Sequence, residues 1–284
     1  VSKKAPGGEQ AFEAWYGGLF AGRWPALRLA LLEPVRHIAW QESLLEPYYL
    51  DPGSAAAALA LPPPEEGRVL DMCAAPDGKT LILAGRLDPD SELTANEFSR
   101  ERKNRLLTVL DGHLPPGLRQ RVSVTGRDAS RWSRYEQDAY DRILLDAPCS
   151  SERHVLSSPA YLAEWSPARI RNLAQRQWSL LSGAWLVLKE GGYLLYSTCA
   201  LSPAENDGVA ERLLKKYGDV AVIEPSLDTE VILKGMKGEK TRFGTHILPD
   251  SGAGAGPLYY VLFRKKNSSQ GETIPALDYT ITRN

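Results

Sequence analysis

The sequence predicts an α/β protein with a mostly parallel sheet, helices on both faces, and a short helical appendage at the amino-terminal end. Three observations carry this expectation. Short apolar runs alternate with amphipathic stretches. Several of those runs end on an acidic residue followed by small residues. Pro62-Pro63-Pro64 separates a helical pattern from the first such run.

Taken in order, residues Ala11 to about Leu45 repeat apolar side chains at three- and four-residue spacing, as in Ala26-Leu27-Leu29-Ala30-Leu31. We therefore assign residues 1–60 to the appendage. The main domain is expected over residues 61–266. It opens with Arg68-Val69-Leu70-Asp71-Met72-Cys73, a buried strand, followed by a helix near Lys79 to Leu87. A strand over Glu92 to Glu97 leads to a helix capped by Ser99 and running to about Leu110. Strands near Arg121 to Thr125 and over Tyr140 to Asp146 come next, then a long helix near Pro167 to Leu188 and a strand over Gly192 to Ser197. This alternation implies parallel pairing. Pro257 to Arg264 reads as a last strand, an antiparallel edge, and residues 267–284 read as a loose tail.

Composition narrows the class. With 284 residues, 43% hydrophobic and 24% charged, the chain can bury one main core, and no run approaches the roughly 20 apolar residues of a membrane span. Residues 1–8 lack the apolar core of a secretory signal. Three cysteines without C-x-x-C spacing and four scattered histidines predict neither a disulfide framework nor a metal site. The expected compartment is the cytoplasm, or the mitochondrial matrix if a targeting peptide has been removed. Net charge is −1, yet nine basic residues face three acids between Arg100 and Arg134. That segment is either a solvated surface or a phosphate-binding face.

In open α/β sheets, ligands sit beyond the carboxyl ends of the strands. The first such place is Asp71-Met72-Cys73-Ala74-Ala75-Pro76-Asp77-Gly78-Lys79-Thr80, small residues entering a helix whose free N–H groups suit a carboxylate. It matches neither G-x-G-x-x-G nor the phosphate loop G-x-x-x-x-G-K-[ST]. The second is Glu97, placed to accept ribose hydroxyls, and the third Asp128, placed to accept an adenine amino group. Each also reads as an ordinary turn or helix-start acid. Together they outline an adenosyl site without a basic phosphate clamp, which favours S-adenosylmethionine over a dinucleotide. At the fourth place, Asp146-Ala147-Pro148-Cys149-Ser150 and Ser197-Thr198-Cys199 end two strands and bring two thiols to one crevice.

These segments, in this order and spacing, resemble the Sun family of RNA cytosine-5 methyltransferases, and within it the mitochondrial small-ribosomal-subunit member and its relatives. Arg23-Trp24-Pro25-Ala26-Leu27, Glu152-Arg153-His154 and Gly256-Pro257-Leu258-Tyr259-Tyr260 add to the likeness. One departure is Asp77, where the family usually carries Gly. The resemblance implies a Rossmann-like methyltransferase fold and cofactor contacts from Cys73, Ala74, Ala75, Pro76, Asp77, Gly78, Lys79, Glu97, Arg102, Asp128 and Asp146. It further implies Cys199 as the nucleophile at carbon 6 of cytosine, Asp146 as hydrogen-bond donor to ring nitrogen 3, and Cys149 as the residue linked to release. Adding a thiolate to carbon 6 makes carbon 5 electron-rich enough to take a methyl group. The expected partners are RNA, rRNA first, and a protein that targets the enzyme to it. The target base must be single-stranded or flipped, with Trp132, Tyr135, Tyr161 and Trp165 weighed as stacking faces against plain core packing. Other readings are a tRNA cytosine-5 methyltransferase, a methyltransferase acting on DNA cytosine or a protein side chain, and a catalytically silent ribosome-assembly or RNA-binding factor.

Overall fold

A computed structural model describes residues 8–74, 78–225 and 228–267. The amino-terminal part holds α1 (Gly8–Phe20), α2 (Trp24–Leu32), a ribbon of β1 (Ile38–Trp40) and β2 (Tyr48–Leu50), and α3 (Pro52–Ala60). The expected helical run to Leu45 stops at Leu32. Glu33 is extended, with ψ 149°, because it precedes Pro34, whose ring excludes the helical conformation of its neighbour.

The main sheet begins with β3 (Arg68–Asp71), α4 (Lys79–Gly85), β4 (Glu92–Asn96), α5 (Arg100–His113), α6 (Pro116–Arg119), β5 (Val122–Thr125) and β6 (Tyr140–Asp146). It continues through α7 (Glu152–Ser157), α8 (Pro159–Ala163), α9 (Pro167–Val187), β7 (Leu188–Thr198) and α10 (Asp207–Tyr217). Three short strands, β8 (Ala221–Ile223), β9 (Gly238–Lys240) and β10 (Thr245–Ile247), precede β11 (Leu258–Lys265). Among the described residues the strand order is β5-β4-β3-β6-β7-β11-β10-β9, with β8 also on β11. The first five strands are parallel, and β11 pairs antiparallel to β7. The last strand is therefore antiparallel as expected but internal, not an edge. The strands that cover it are three residues long, too short for an alternating pattern to register.

Period-two alternation builds a core on each face. Leu144, Leu195 and Leu262 pack with Leu83, Leu106 and Leu110 of α4 and α5. Ile143, Leu145 and Tyr196 pack with Trp132, Leu181 and Trp185 on the α9 side. Each fully buried Leu or Ile contributes roughly 1.5–3 kcal/mol. A third cluster joins Phe12, Tyr16, Trp24 and Leu27 of α1 and α2 to Leu156, Trp165 and Ile170. Phe12 meets Trp165 edge-on at 5.2 Å, and Tyr16 stacks on Trp24 at 5.3 Å. The amino-terminal helices thus cover the segment after β6. Strand order reverses between β3 and β6, and the crevice opens there, outside the carboxyl ends of the strands.

Candidate active site

The crevice has a volume of about 1130 Å³, and its walls include Cys73, Glu97, Phe98, Asp128, Asp146 and both Cys149 and Cys199. The strand ends are held apart by Asn96. Its amide donates to the Met72 and Arg127 carbonyls at 3.1 Å each, and its oxygen accepts from Thr125 Oγ1 and the Arg127 N–H at 2.8 Å. Glu97 follows directly. Its carboxylate accepts the Ser99 N–H at 2.7 Å and lies 3.6 Å from Arg102 Nε. Phe98 presents a ring that is 66% exposed, a face for a purine that sequence reasoning passed over. Asp128 accepts the Ser130 hydroxyl at 2.7 Å and its N–H at 3.0 Å, and the Ser130 hydrogen bond holds its carboxyl below the usual range. Arg131 lies 3.4 Å away.

Of the first loop, Ala75, Pro76 and Asp77 lie outside the described residues. Cys73 reaches the crevice, with burial first and then the Asp71 carboxylate pushing its thiol well up, so it stays a neutral lining residue. Ala74 is buried and donates its N–H to the Asn96 carbonyl at 2.9 Å. Gly78 lies beneath Tyr48, whose ring would stand 2.6 Å from any Cβ there. Lys79, expected beside a cofactor, turns the other way. Its ammonium, almost fully buried, meets Asp146 Oδ2 at 3.0 Å and Ser54 Oγ at 3.0 Å. A buried ammonium needs a carboxylate, and Asp146 supplies one.

Asp146 also accepts the Ser197 hydroxyl at 2.8 Å, which joins the ends of β6 and β7. Beyond them the thiols share one residue: Ser151 Oγ stands 3.5 Å from Cys149 Sγ and 3.2 Å from Cys199 Sγ. Ser151 takes a left-handed backbone, φ 53°, which aims its hydroxyl between the two sulfurs. Hydrogen bonding with Cys199, followed by burial, holds the Cys149 thiol well above its ordinary range. A second hollow of about 460 Å³ is lined by His37, Lys79, Arg153 and His154 and shares Asp146, Ser151 and Cys199 with the crevice. Trp132 and Trp165 are core residues, whereas Tyr135 and Tyr161 are exposed.

Five of the segment's nine basic residues pair with nearby acids: Arg102 with Glu97, Arg105 with Glu101, Arg119 with Asp111, Arg127 with Glu136 and Arg131 with Asp128. No group of three or more His, Cys, Asp or Glu able to hold a metal occurs among the described residues. None of the described helices is long and apolar enough to cross a membrane.

With this geometry in place, comparison with known proteins assigns the chain. Residues 58–263 match the 16S rRNA methyltransferase RsmB/F family. The chain belongs to that family. Its relatives include the mitochondrial tRNA (cytosine(34)-C(5))-methyltransferase of Danio rerio, 34% identical over 82% of this chain and 65% of that protein. The 5-cytosine rRNA methyltransferase NSUN4 of Bos taurus is 34% identical over 76% of this chain and 59% of its own length. The chain thus spans less than two thirds of these relatives. Among solved structures, that of NSun6 from Pyrococcus horikoshii with SFG superposes with a TM-score of 0.65 at 24% identity, covering 80% of this chain and 54% of that one. The Rossmann-like methyltransferase fold expected for an RsmB/F chain is the fold observed.

Proposed function

We propose that this chain is an S-adenosylmethionine-dependent RNA cytosine-5 methyltransferase with Cys199 as its nucleophile. One observation carries the reading: Asp146, Ser151 and Cys199 line both hollows, so a methyl donor in one and a base in the other can meet at them. The crevice suits an adenosyl group, with Glu97 as acceptor and the Phe98 ring as a flat face. Bound there, S-adenosylmethionine supplies an electrophilic methyl group. The second hollow takes the base. rRNA is the first substrate by the name of the family, and tRNA the alternative by the name of the Danio rerio relative. That relative's mitochondrial name supports the mitochondrial matrix as the compartment. A protein partner that delivers the chain to its RNA belongs to the same proposal.

The residues divide the work. Cys199 Sγ bonds to carbon 6 of cytosine as its thiol proton passes by way of Asp146, steadied by Lys79 and Ser197, to ring nitrogen 3, which takes up the displaced electron pair. Carbon 5 then gains the methyl group. The carbon-5 proton leaves, the carbon–sulfur bond breaks, and the ring double bond returns. Cys149 remains a thiol while Cys199 is free, because Cys199 is the first cause that holds its proton on. Once Cys199 is bound to carbon 6 that cause is gone, so Cys149 gives up its proton more readily and its thiolate takes the carbon-5 proton on release.

The test uses labelled cofactor and RNA. Cys199→Ala should lose methylation and form no covalent complex. Cys149→Ala should transfer the methyl group and then accumulate protein–RNA adducts that survive denaturing electrophoresis. Adducts trapped by Cys199→Ala and none by Cys149→Ala would reverse the roles. Bisulfite sequencing of rRNA and tRNA from cells lacking the protein identifies the substrate.

A further inference from the structure

Behind the two thiols lie two glutamates that the mechanism above does not use. Glu152 and Glu205 are both 0% exposed, and among the described residues neither makes an ion pair. They meet at Ser150, the residue after Cys149. Glu205 Oε2 accepts the Ser150 N–H at 3.0 Å, and Glu152 Oε1 accepts the Ser150 hydroxyl. Gln177 of α9 donates to Glu205 at 2.8 Å and to the Pro148 carbonyl at 3.0 Å, so both neighbours of Cys149 are tied down.

The same two carboxyl groups hold the segment that carries Cys199. Glu152 Oε2 accepts the Leu201 N–H at 3.0 Å, two residues beyond the nucleophile. Glu205 lies on that segment itself, and its carbonyl accepts Tyr196 OH at 2.6 Å. Tyr16 of α1 donates to Glu152 from the amino-terminal helices. The spacing of the sulfurs is therefore set by a carboxylate pair rather than by the sheet alone.

We propose that Glu205 and Glu152 are positioning residues that fix Cys149 against Cys199 while the pair carries one negative charge, and that a second charge loosens this hold. The groups facing Glu205 are Glu152 from α7, Tyr16 from α1, Tyr196 from β7 and Gln177 from α9, with the Arg169 guanidinium 3.5 Å from the Ser150 carbonyl. Two carboxylates in one dry pocket repel when both ionise. Burial, and then Glu152, push the Glu205 carboxyl up to about 7. The hold is firm below that pH and weakens above it.

This inference deepens the proposed function and rests on it for its catalytic readout, so the test has one arm without RNA. Phenylarsine oxide bridges two nearby thiols through one arsenic and releases water, so its affinity reports their spacing. Glu205→Ala, which removes the acceptor for the Ser150 amide, should weaken that affinity by about tenfold. Glu205→Gln, which keeps an acceptor, should restore it, and Cys149→Ala should abolish bridging. In the RNA arm, wild-type adduct release should slow as pH rises through about 7. Glu205→Gln should lose that decline. If Glu205→Ala does not fold, the glutamine variant and Glu152→Gln still decide the matter. Unchanged arsenical affinity in Glu205→Ala, or a wild-type pH profile in Glu205→Gln, overturns the positioning role. Intact arsenical results with no methylation of any RNA by the wild type would instead remove the functional proposal.

Discussion

The two lips of the crevice are built in opposite ways. At the ends of β4 and β5 the acidic residues are held by near neighbours: Glu97 accepts from Ser99, and Asp128 from Ser130. At the ends of β6 and β7 the reactive residues are held from afar. Lys79 reaches Asp146 across 67 residues of chain, Glu205 reaches Ser150 across 55, and Tyr16 reaches Glu152 across 136. A lip made of local turns forms wherever its short sequence allows. A lip made of distant contacts exists only when the whole fold is correct, and its substitutions should reach further.

The sharpest way to break this contrast is Lys79→Met. Removing the ammonium breaks the 3.0 Å ion pair with the partly buried Asp146, so the substitution should cost about 3 kcal/mol of stability, read by urea unfolding. A change comparable to a surface substitution would make the thiol lip no more integrated than the other.

Next in size is a pH effect on stability. The Glu205 carboxyl is raised in the folded state, so its contribution is fully present below its ordinary value of 4.5 and is lost as pH rises through about 7. Glu205→Gln removes that loss. It should therefore gain stability relative to wild type as pH goes from acid to neutral, by roughly 2 kcal/mol in thermal melts. A constant difference across pH would contradict the assignment.

On the local lip the effects should be smaller and confined to the cofactor. Glu97→Ala should weaken S-adenosylmethionine by about 1–2 kcal/mol in calorimetric titration, because one carboxylate oxygen serves Ser99 and the other, 3.6 Å from Arg102, can still accept from a ligand. Its melting curve should move little. Equal cofactor binding by wild type and variant would remove the ribose contact.

The smallest expected effect is on RNA affinity. Arg131 is shared with Asp128, so replacing Arg131 and Arg134 by alanine should make the salt dependence of binding shallower by at most about 1.4, at ~0.7 per phosphate contact. An unchanged slope returns both residues to a plain solvated surface.

The same contrast explains what could be read from the sequence. The five parallel strands announce themselves through apolar runs that end on Asp71, Asn96-Glu97 and Asp146, and Ser99 marks the start of α5 by its cap. The motifs place Cys149 and Cys199 on neighbouring strand ends, which is where β6 and β7 put them. What escaped was long-range. Glu152 and Glu205 look like ordinary surface acids in a list of residues, and only the packing of α1, α7 and α9 makes them interior. Lys79 sits within a loop motif, so it was expected at the cofactor, while the pairing that turns it to Asp146 depends on α3 and β6 arriving beside it. Phe98 carried no periodic signal at all.

The Tyr16 hydroxyl docks on Glu152, whose other oxygen holds the backbone at Leu201, so an earlier-made element waits for one made more than a hundred residues later. Contacts of such sequence separation close late in folding. A nascent chain can therefore assemble its cofactor lip while still emerging from the ribosome and yet lack a competent pair of thiols. The two thiols take their final spacing only when these distant segments meet.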